Sequence, residues 1–485
     1  MPSNFFNFIG GEWVACRTKA TFANVNPANV DEIVGLFQAS TADDVDAAFA
    51  AAAAAQPAWA ALPAPRRGEC LFKAAEILAG KLASVAEEMT REEGKTLPEA
   101  TAEFNRAINI LRYFGGEGAR QFNHQIPSER ENVFCFTIRK PLGVVGLITP
   151  WNFPSAIPAW KMAPALVAGN TVVLKPASLA PLSALRIVQA LEQAGVPAGV
   201  VNFVTGGGGA VGNAMLAHPA LRALSFTGST EVGSLIYEKA TQRKLRVQLE
   251  MGGKNPTIVL ADADLDNAAS ILVNGAFFST GQKCTACSRA IIERPIYAAL
   301  VDKLLAKTRA LKVGNGLEPG IDIGPAVDDA QLQTDLSYID VARNEGATLL
   351  CGGNRLTGGR YDKGYFVEPT IFGDVTPDMR IAQEEVFGPV LALLVAEDFD
   401  DAIRLANGVK FGLSASIVSN NLSRVHQFIQ RIDAGLITVN LPTAGVEYQL
   451  PFGGTKASSF GMREQGQLAL DFYTESRTVY LKHTA

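Results

Sequence analysis

Between Leu142 and Phe226 the chain alternates short runs of β-formers with stretches of helical length, and this alternation constrains the fold more than any other feature of the 485 residues. The strand-like runs are 142–149, 171–174, 200–204 and 223–226, and the helical stretches between them include 180–194 and 211–216. Strands separated by helices of this length predict βαβ units and a parallel sheet, a nucleotide-binding architecture. A second series begins near 256–260, passes through helices expected at 265–280 and 296–310, and ends near Asn440. The expected class is α/β with two doubly wound parallel-sheet domains. Ahead of them, Thr41-Ala-Asp43-Asp44 has the form of a helix cap before an Ala-rich helix to Ala55, and further helices are expected at 67–90 and 97–113. Residues 132–139 read as a strand. So do 472–482, which have no obvious partner in the sequence around them, so a second subunit's sheet edge is expected to supply one.

Several function classes fall away on composition. Lys+Arg total 43 against 48 Asp+Glu, a net charge of −5, so no positive field draws in a phosphate backbone and nucleic acid is not an expected partner. Six cysteines, mostly far apart, point to a reducing compartment, and the cytoplasm is expected. Residues 1–17 carry no basic region followed by an apolar run and a cleavage site. The longest uncharged stretch, 141–160, is long enough for a bilayer, but Pro150, Pro154 and Pro158 interrupt it, so it reads as a buried strand followed by a loop rather than a membrane span.

Chemistry concentrates in Thr280-Gly-Gln-Lys-Cys284-Thr-Ala-Cys287. Two cysteines three apart fit half a zinc site, a dithiol redox pair, a nucleophile with a bystander, or two thiols packed as small hydrophobes. The four histidines are scattered singly and there is no second cysteine pair, so no metal is expected. Upstream, Gln248-Leu-Glu250-Met-Gly-Gly-Lys254 ends an apolar strand on a carboxylate, with glycines expected to turn the chain and leave that carboxylate facing a cleft. Thr149-Pro-Trp-Asn152-Phe-Pro154 presents an amide after a buried strand. Leu174-Lys175-Pro-Ala-Ser178, Gly228-Ser-Thr-Glu-Val-Gly233, Glu384-Glu385-Val-Phe387 and Pro451-Phe452-Gly-Gly454 complete the set.

Together these motifs resemble the aldehyde dehydrogenase family, from Ile9-Gly-Gly-Glu-Trp13 to Lys456. The resemblance implies a dinucleotide-binding domain (1–122 and 142–252), a catalytic domain (253–456) and a small β oligomerisation element (123–141 and 457–485) in a homodimer or homotetramer. It implies Cys284 as nucleophile, with Cys287 a bystander. Asn152 and the Cys284 backbone N–H would form the oxyanion hole, Glu250 would be the base for hydrolysis, and Lys161 would assist proton release. A soft thiolate that can add to a carbonyl and later leave suits this chemistry independently. A carboxylate at position 250 implies a free acid as product rather than a coenzyme A ester.

For the cofactor, NADP or NAD, the resemblance implies Thr149, Pro150, Trp151, Lys175, Ser178, Gly228, Ser229, Gly233, Glu385 and Phe387. Strict NAD relatives often carry glutamate three residues after the lysine, where its charge repels a 2′-phosphate; Ser178 predicts that NADP is accepted. Phe153, Trp160, Phe278, Thr285 and Phe452 would line the substrate tunnel. Arg106 stands where relatives with apolar substrates carry an apolar side chain, so an inward guanidinium would select a carboxylate. Glu92-Glu-Gly-Lys-Thr-Leu-Pro98 and Ala444-Gly-Val-Glu447 resemble members acting on 2,5-dioxopentanoate, giving 2-oxoglutarate, with succinate or glutarate semialdehyde as rival substrates. From other classes, a cofactor-independent thiol esterase would need the same Cys284, Asn152 and Glu250, while a non-catalytic descendant would have lost one of them.

Overall fold

The computed structural model describes residues 2–120 and 123–484. Its first sheet has eight strands in the order Glu12–Val14, Asn7–Ile9, Val201–Phe203, Thr171–Lys175, Val144–Ile148, Leu221–Thr227, Arg246–Glu250, Ser459–Phe460. The five central strands are mutually parallel, and antiparallel strands flank them at both ends. The second sheet, of seven, runs Thr348–Cys351, Thr370–Gly373, Val390–Ala396, Cys287–Glu293, Asn255–Val259, Ser414–Val418, Leu436–Val439 and is parallel except at its first pair.

Both sheets are doubly wound because their strands are apolar on both faces. Val144 and Val173 pack into one core, whereas their neighbours Val145, Val172 and Leu174 pack into another on the opposite face. In the second sheet Ile258 and Ile291 divide from Val259 and Ile292 in the same way. That alternation is the period-2 rule applied to strands covered by helices on each side.

Several sequence expectations need correction. The terminal strand Thr474–Lys482 does not wait for a second subunit: it pairs antiparallel, residue for residue, with Val133–Pro141 of the same chain, and Gln125–Pro127 adds a third strand. The helix expected at 67–90 is two, Ala64–Ala79 and Leu82–Glu93, broken at Gly80 and Lys81. The Ala-rich helix continues through Pro57 to Ala61, and Leu97–Glu117 runs past Tyr113. The segment 457–485, expected as tail, gives Ser459–Phe460 to the first sheet. Residues 121 and 122, where the first expected boundary falls, and residues 1 and 485 lie outside the described residues. Among the described residues, no helix is long and apolar enough to cross a membrane.

Candidate active site

Four neighbouring strands of the first sheet end side by side and release the expected site residues. Val144–Ile148 leads into 149–152, Thr171–Lys175 ends on Lys175, Leu221–Thr227 leads into Gly228 and Ser229, and Arg246–Glu250 ends on Glu250. The carboxyl ends of parallel strands are where ligands sit in open α/β sheets. The second sheet starts against this edge: Asn255 and Cys287 open adjacent strands in register, so the loop carrying Cys284 lies at the junction. Asn255 Nδ2 donates to the carbonyls of Cys284 and Ala286, both at 2.8 Å, and fixes that loop.

Cys284 is half-buried. Burial, then the carboxylates of Glu385 and Glu250, push its thiol up to about 12. The thiolate is therefore scarce at neutral pH in the protein alone, and alkylation by iodoacetamide should quicken about tenfold per unit from about pH 7 to about pH 10. Site-resolved mass spectrometry of Cys284 checks this, and a plateau near neutral pH would contradict it. Cys287 faces the core instead, its Sγ 3.5 Å from the Arg289 carbonyl, and burial raises it to about 11.

The Asn152 amide is held by its Nδ2, which donates to the Gln282 carbonyl at 2.9 Å, and one amide hydrogen remains to be offered. Behind it lies a charge cluster that the sequence motifs did not reveal. Lys95 Nζ donates to the Asn152 carbonyl at 2.8 Å and to Glu103 at 2.6 Å, and sits 4.6 Å from the Phe153 ring centroid. Glu103 in turn accepts from Ser155 and the Ala156 N–H, capping the helix Ala156–Val167. Glu99 accepts from the Ser279 N–H at 2.7 Å, pinning a turn in which Ser279 and Thr280 both have φ of 55°. Such left-handed backbone costs about 1–3 kcal/mol per residue and persists only where contacts enforce it. Glu99, Glu103 and Arg106 follow i, i+4, i+7 spacing on Leu97–Glu117, so one helix face serves the cysteine loop, the amide loop and the cavity. That spacing was the available signal for Glu99 and Glu103.

Glu250 is 2% exposed. Ser459 Oγ donates to it, while burial and Glu464 push its carboxyl well above the usual range. Its Oε1 stands 2.7 Å from where a Cβ on Gly453 would lie, so any larger residue there would displace it. Lys161 is also buried and does not line the substrate cavity: it pairs with Glu464 and donates to Ser225 at 2.7 Å, and its charge favours the Glu250 carboxylate that Glu464 disfavours. The glycines after Glu250 make no left-handed turn. Gly252 instead admits the Glu385 carboxylate, whose oxygen would be 1.8 Å from a Cβ at that position.

A cavity of about 800 Å³ opens on Cys284 and Thr285. Phe153, Trp160, Phe278 and Phe452 supply an aromatic wall and Arg106 a cation, so all six residues expected at the substrate site line one space. Arg106 Nε and Nη2 are buried without a hydrogen-bond partner among the described residues, and burial lowers the guanidinium's pKa. Lys283, unforeseen as a lining residue, reaches the Asn274 carbonyl, and burial lowers it to about 8.

Of the residues expected at the cofactor, those from 149 to 151, 175 to 178 and 228 to 229 lie at or just after the strand ends. The Thr149 N–H donates to the Lys175 carbonyl at 3.1 Å, tying two strand ends together. Lys175 Nζ is buried, reaches only the Pro176 carbonyl among the described residues, and is lowered by burial to about 8. Ser178 donates to the Gly206 carbonyl. Pro150 precedes Trp151, whose ring meets Phe387 edge-on at 5.4 Å, and Phe387 itself has φ of 63°. Gly228 turns the chain into Thr230–Gln242, with Ser229 as N-cap and Gly233 in its first turn. Glu385 accepts from the Gly253 N–H at 2.9 Å, and burial raises it to about 7. Thr149 Oγ1 and Thr230 Oγ1 are buried without partners among the described residues. Unsatisfied hydroxyls, a buried lysine and an open helix N-terminus fit a dinucleotide's phosphates and ribose hydroxyls.

Residues 13–479 match the model of the aldehyde dehydrogenase family. The chain is 50% identical over 480 residues to the alpha-ketoglutaric semialdehyde dehydrogenase of Bacillus subtilis (strain 168), covering 99% of this chain and 98% of that relative. It is 46% identical over 462 residues to the 2,5-dioxopentanoate dehydrogenase of Saccharolobus solfataricus, covering 95% and 96%. Among solved structures, an NAD-dependent aldehyde dehydrogenase from Sinorhizobium meliloti superposes with a TM-score of 0.96 at 36% identity, over 99% of this chain and 95% of that one.

Proposed function

This chain belongs to the aldehyde dehydrogenase family, and on that premise we propose that it oxidises 2,5-dioxopentanoate to 2-oxoglutarate with NADP or NAD. The observation that carries the substrate is Arg106: a cation with two unpaired buried nitrogens, in the same cavity as the thiol. A carboxylate can accept from both, and a charge-assisted pair of this kind is stronger than a neutral hydrogen bond.

In this account the Cys284 thiol loses its proton to solvent and the thiolate Sγ attacks the aldehyde carbon. The free hydrogen of the Asn152 amide and the Cys284 backbone N–H receive the oxyanion, each fixed before the reaction so that no reorganisation is needed as charge develops. Lys175, Ser178 and the 228–233 turn would hold the adenosine and pyrophosphate of the dinucleotide, and Glu385 and Phe387 its nicotinamide ribose and ring; when bound, it would supply the hydride acceptor. A thioester is left on Cys284. Glu250, which burial and Glu464 make a stronger base than an ordinary carboxylate, takes a proton from the hydrolytic water. Lys161 stabilises the Glu250 carboxylate, Glu464 opposes it, and their buried pair gives the proton a polar route away. Ser178 places no negative charge against a 2′-phosphate, which supports use of NADP.

The sheets support two working units, 1–122 with 142–252 for the dinucleotide and 253–456 for catalysis, with 123–141 and 457–485 as arm and tail apart from Ser459–Phe460, which edges the first sheet. We assign the three-stranded arm, which exposes Ile126, Phe134, Tyr480 and Leu481, to contact within a homodimer or homotetramer. Six free thiols support a cytoplasmic location.

An aldehyde panel assayed with each nicotinamide cofactor tests the function, with Arg106→Ala as the decisive variant. The variant should raise KM for acidic semialdehydes about 10–100-fold and change neutral aldehydes of similar length by less than about threefold. Equal effects on both classes would remove the carboxylate argument. Ester hydrolysis without aldehyde-dependent cofactor reduction would favour the thiol esterase instead.

A further inference from the structure

Arg106 does not hold the only unpaired donors in the cavity. Trp160 Nε1 is also buried without a hydrogen-bond partner among the described residues, and the side chain is 5% exposed. Its ring packs on Phe452 with centroids 5.4 Å apart, which fixes the indole in the wall. Arg106 and Trp160 come from the helices Leu97–Glu117 and Ala156–Val167, which pack against each other, so the two sets of donors belong to adjoining parts of the wall.

An indole nitrogen only donates. A buried donor left unpaired is costly, so its persistence in a ligand cavity is matched to an acceptor that arrives with the ligand. Arg106 accounts for the carboxylate. Beside the carboxylate carbon in 2,5-dioxopentanoate lies a ketone, and among Phe153, Phe278 and Phe452 its oxygen would lose water and gain nothing. Asn105, Asn109, Thr285 and Gln449 also line the cavity, but among the described residues the indole N–H is the neutral donor of that lining buried without a partner.

We propose that the Trp160 indole N–H receives the 2-oxo oxygen of the substrate and makes the enzyme selective for 2-oxo semialdehydes over deoxy analogues of equal length and charge. This rests on the 2,5-dioxopentanoate assignment above. It separates two tasks: Arg106 requires an acid, and Trp160 requires that the acid carry a ketone.

The matched pair for the test is 2,5-dioxopentanoate and 5-oxopentanoate, which differ only by C=O against CH₂. The wild-type enzyme should favour the first by about tenfold or more in kcat/KM. Trp160→Phe keeps an aromatic ring against Phe452 and removes the N–H. It should lower kcat/KM for 2,5-dioxopentanoate about tenfold more than for 5-oxopentanoate, whatever loss the altered wall imposes on both. Equal losses on both substrates, or an unchanged preference, would overturn the proposal by reducing Trp160 to packing. Should the variant fail to fold, inhibition of the wild-type enzyme decides: 2-oxoglutarate should bind about tenfold more tightly than glutarate, and equal affinities would overturn the proposal. Turnover of both aldehydes at equal efficiency overturns this proposal alone, whereas turnover of neither defeats the substrate assignment beneath it.

Discussion

Cys284→Ala is expected to abolish aldehyde oxidation, with kcat reduced on the order of 10⁵-fold or more, while the protein still folds and binds its cofactor. The size of the effect follows from the route: without the sulfur there is no covalent adduct from which hydride can leave, and the remaining donors can only bind the aldehyde. Cys287 will not substitute. It is buried in the core of the second sheet, its thiol is directed to the Arg289 carbonyl, and burial keeps it protonated. The loss should leave stability nearly unchanged, because Cys284 is half-buried at a cavity wall rather than packed within the core. Assay of the purified variant, with thermal unfolding and cofactor titration beside it, checks all three parts. Residual activity within about 100-fold of wild type would mean that another group attacks the carbonyl.

Glu250→Gln should separate the two halves of the reaction. Acylation needs the thiol and the oxyanion donors; hydrolysis needs a base. The variant is expected to retain a rapid first turnover of cofactor reduction and to lose steady-state kcat by about 10²–10⁴-fold, the range of a positioned base. The pH profile carries the same information. Burial and Glu464 raise the Glu250 carboxyl, so at low pH it is protonated and cannot accept the water's proton. Steady-state turnover should therefore fall as pH drops through its raised pKa, and in Glu250→Gln that acid limb should disappear. Rapid-quench kinetics on both proteins test this, and a variant that loses its first turnover as fully as its steady state would place Glu250 in acylation instead.

How far the sequence reaches is clear from particular residues. Cys284, Asn152 and Glu250 were legible as candidates because each is a reactive or polar group set against glycine, proline or apolar runs, whereas Arg106 stood out only through the family resemblance. The parallel strands were legible because, covered on both faces, they are apolar throughout. Lys95, Glu99 and Glu103 were not, because a charged residue on a helix reads by default as a solvated face; only the fold shows that Lys95 and Glu103 are buried, Glu99 half-buried, and all three tied to loops far away in sequence. The partner of the terminal strand was hidden for the same reason. Pairing of Thr474–Lys482 with Val133–Pro141 joins segments that carry no mark of each other in composition. The short strands Asn7–Ile9 and Glu12–Val14 are too brief for alternation to announce them, and they join the first sheet only through contact with Val201–Phe203. Glycines 252 and 253 gave the right place and the wrong reason: their value lies in admitting Glu385 and the Cys284 loop rather than in turning the chain.

The most direct test is to mix Glu250→Gln with 2,5-dioxopentanoate and cofactor, quench in acid within the first turnover, and map the protein by peptide mass spectrometry. The peptide holding Cys284 should carry the mass of the 2-oxoglutarate acyl group as an acid-stable, hydroxylamine-labile thioester, in an amount equal to the cofactor reduced. An unmodified Cys284 alongside stoichiometric cofactor reduction, or the acyl group on any other residue, would contradict the account.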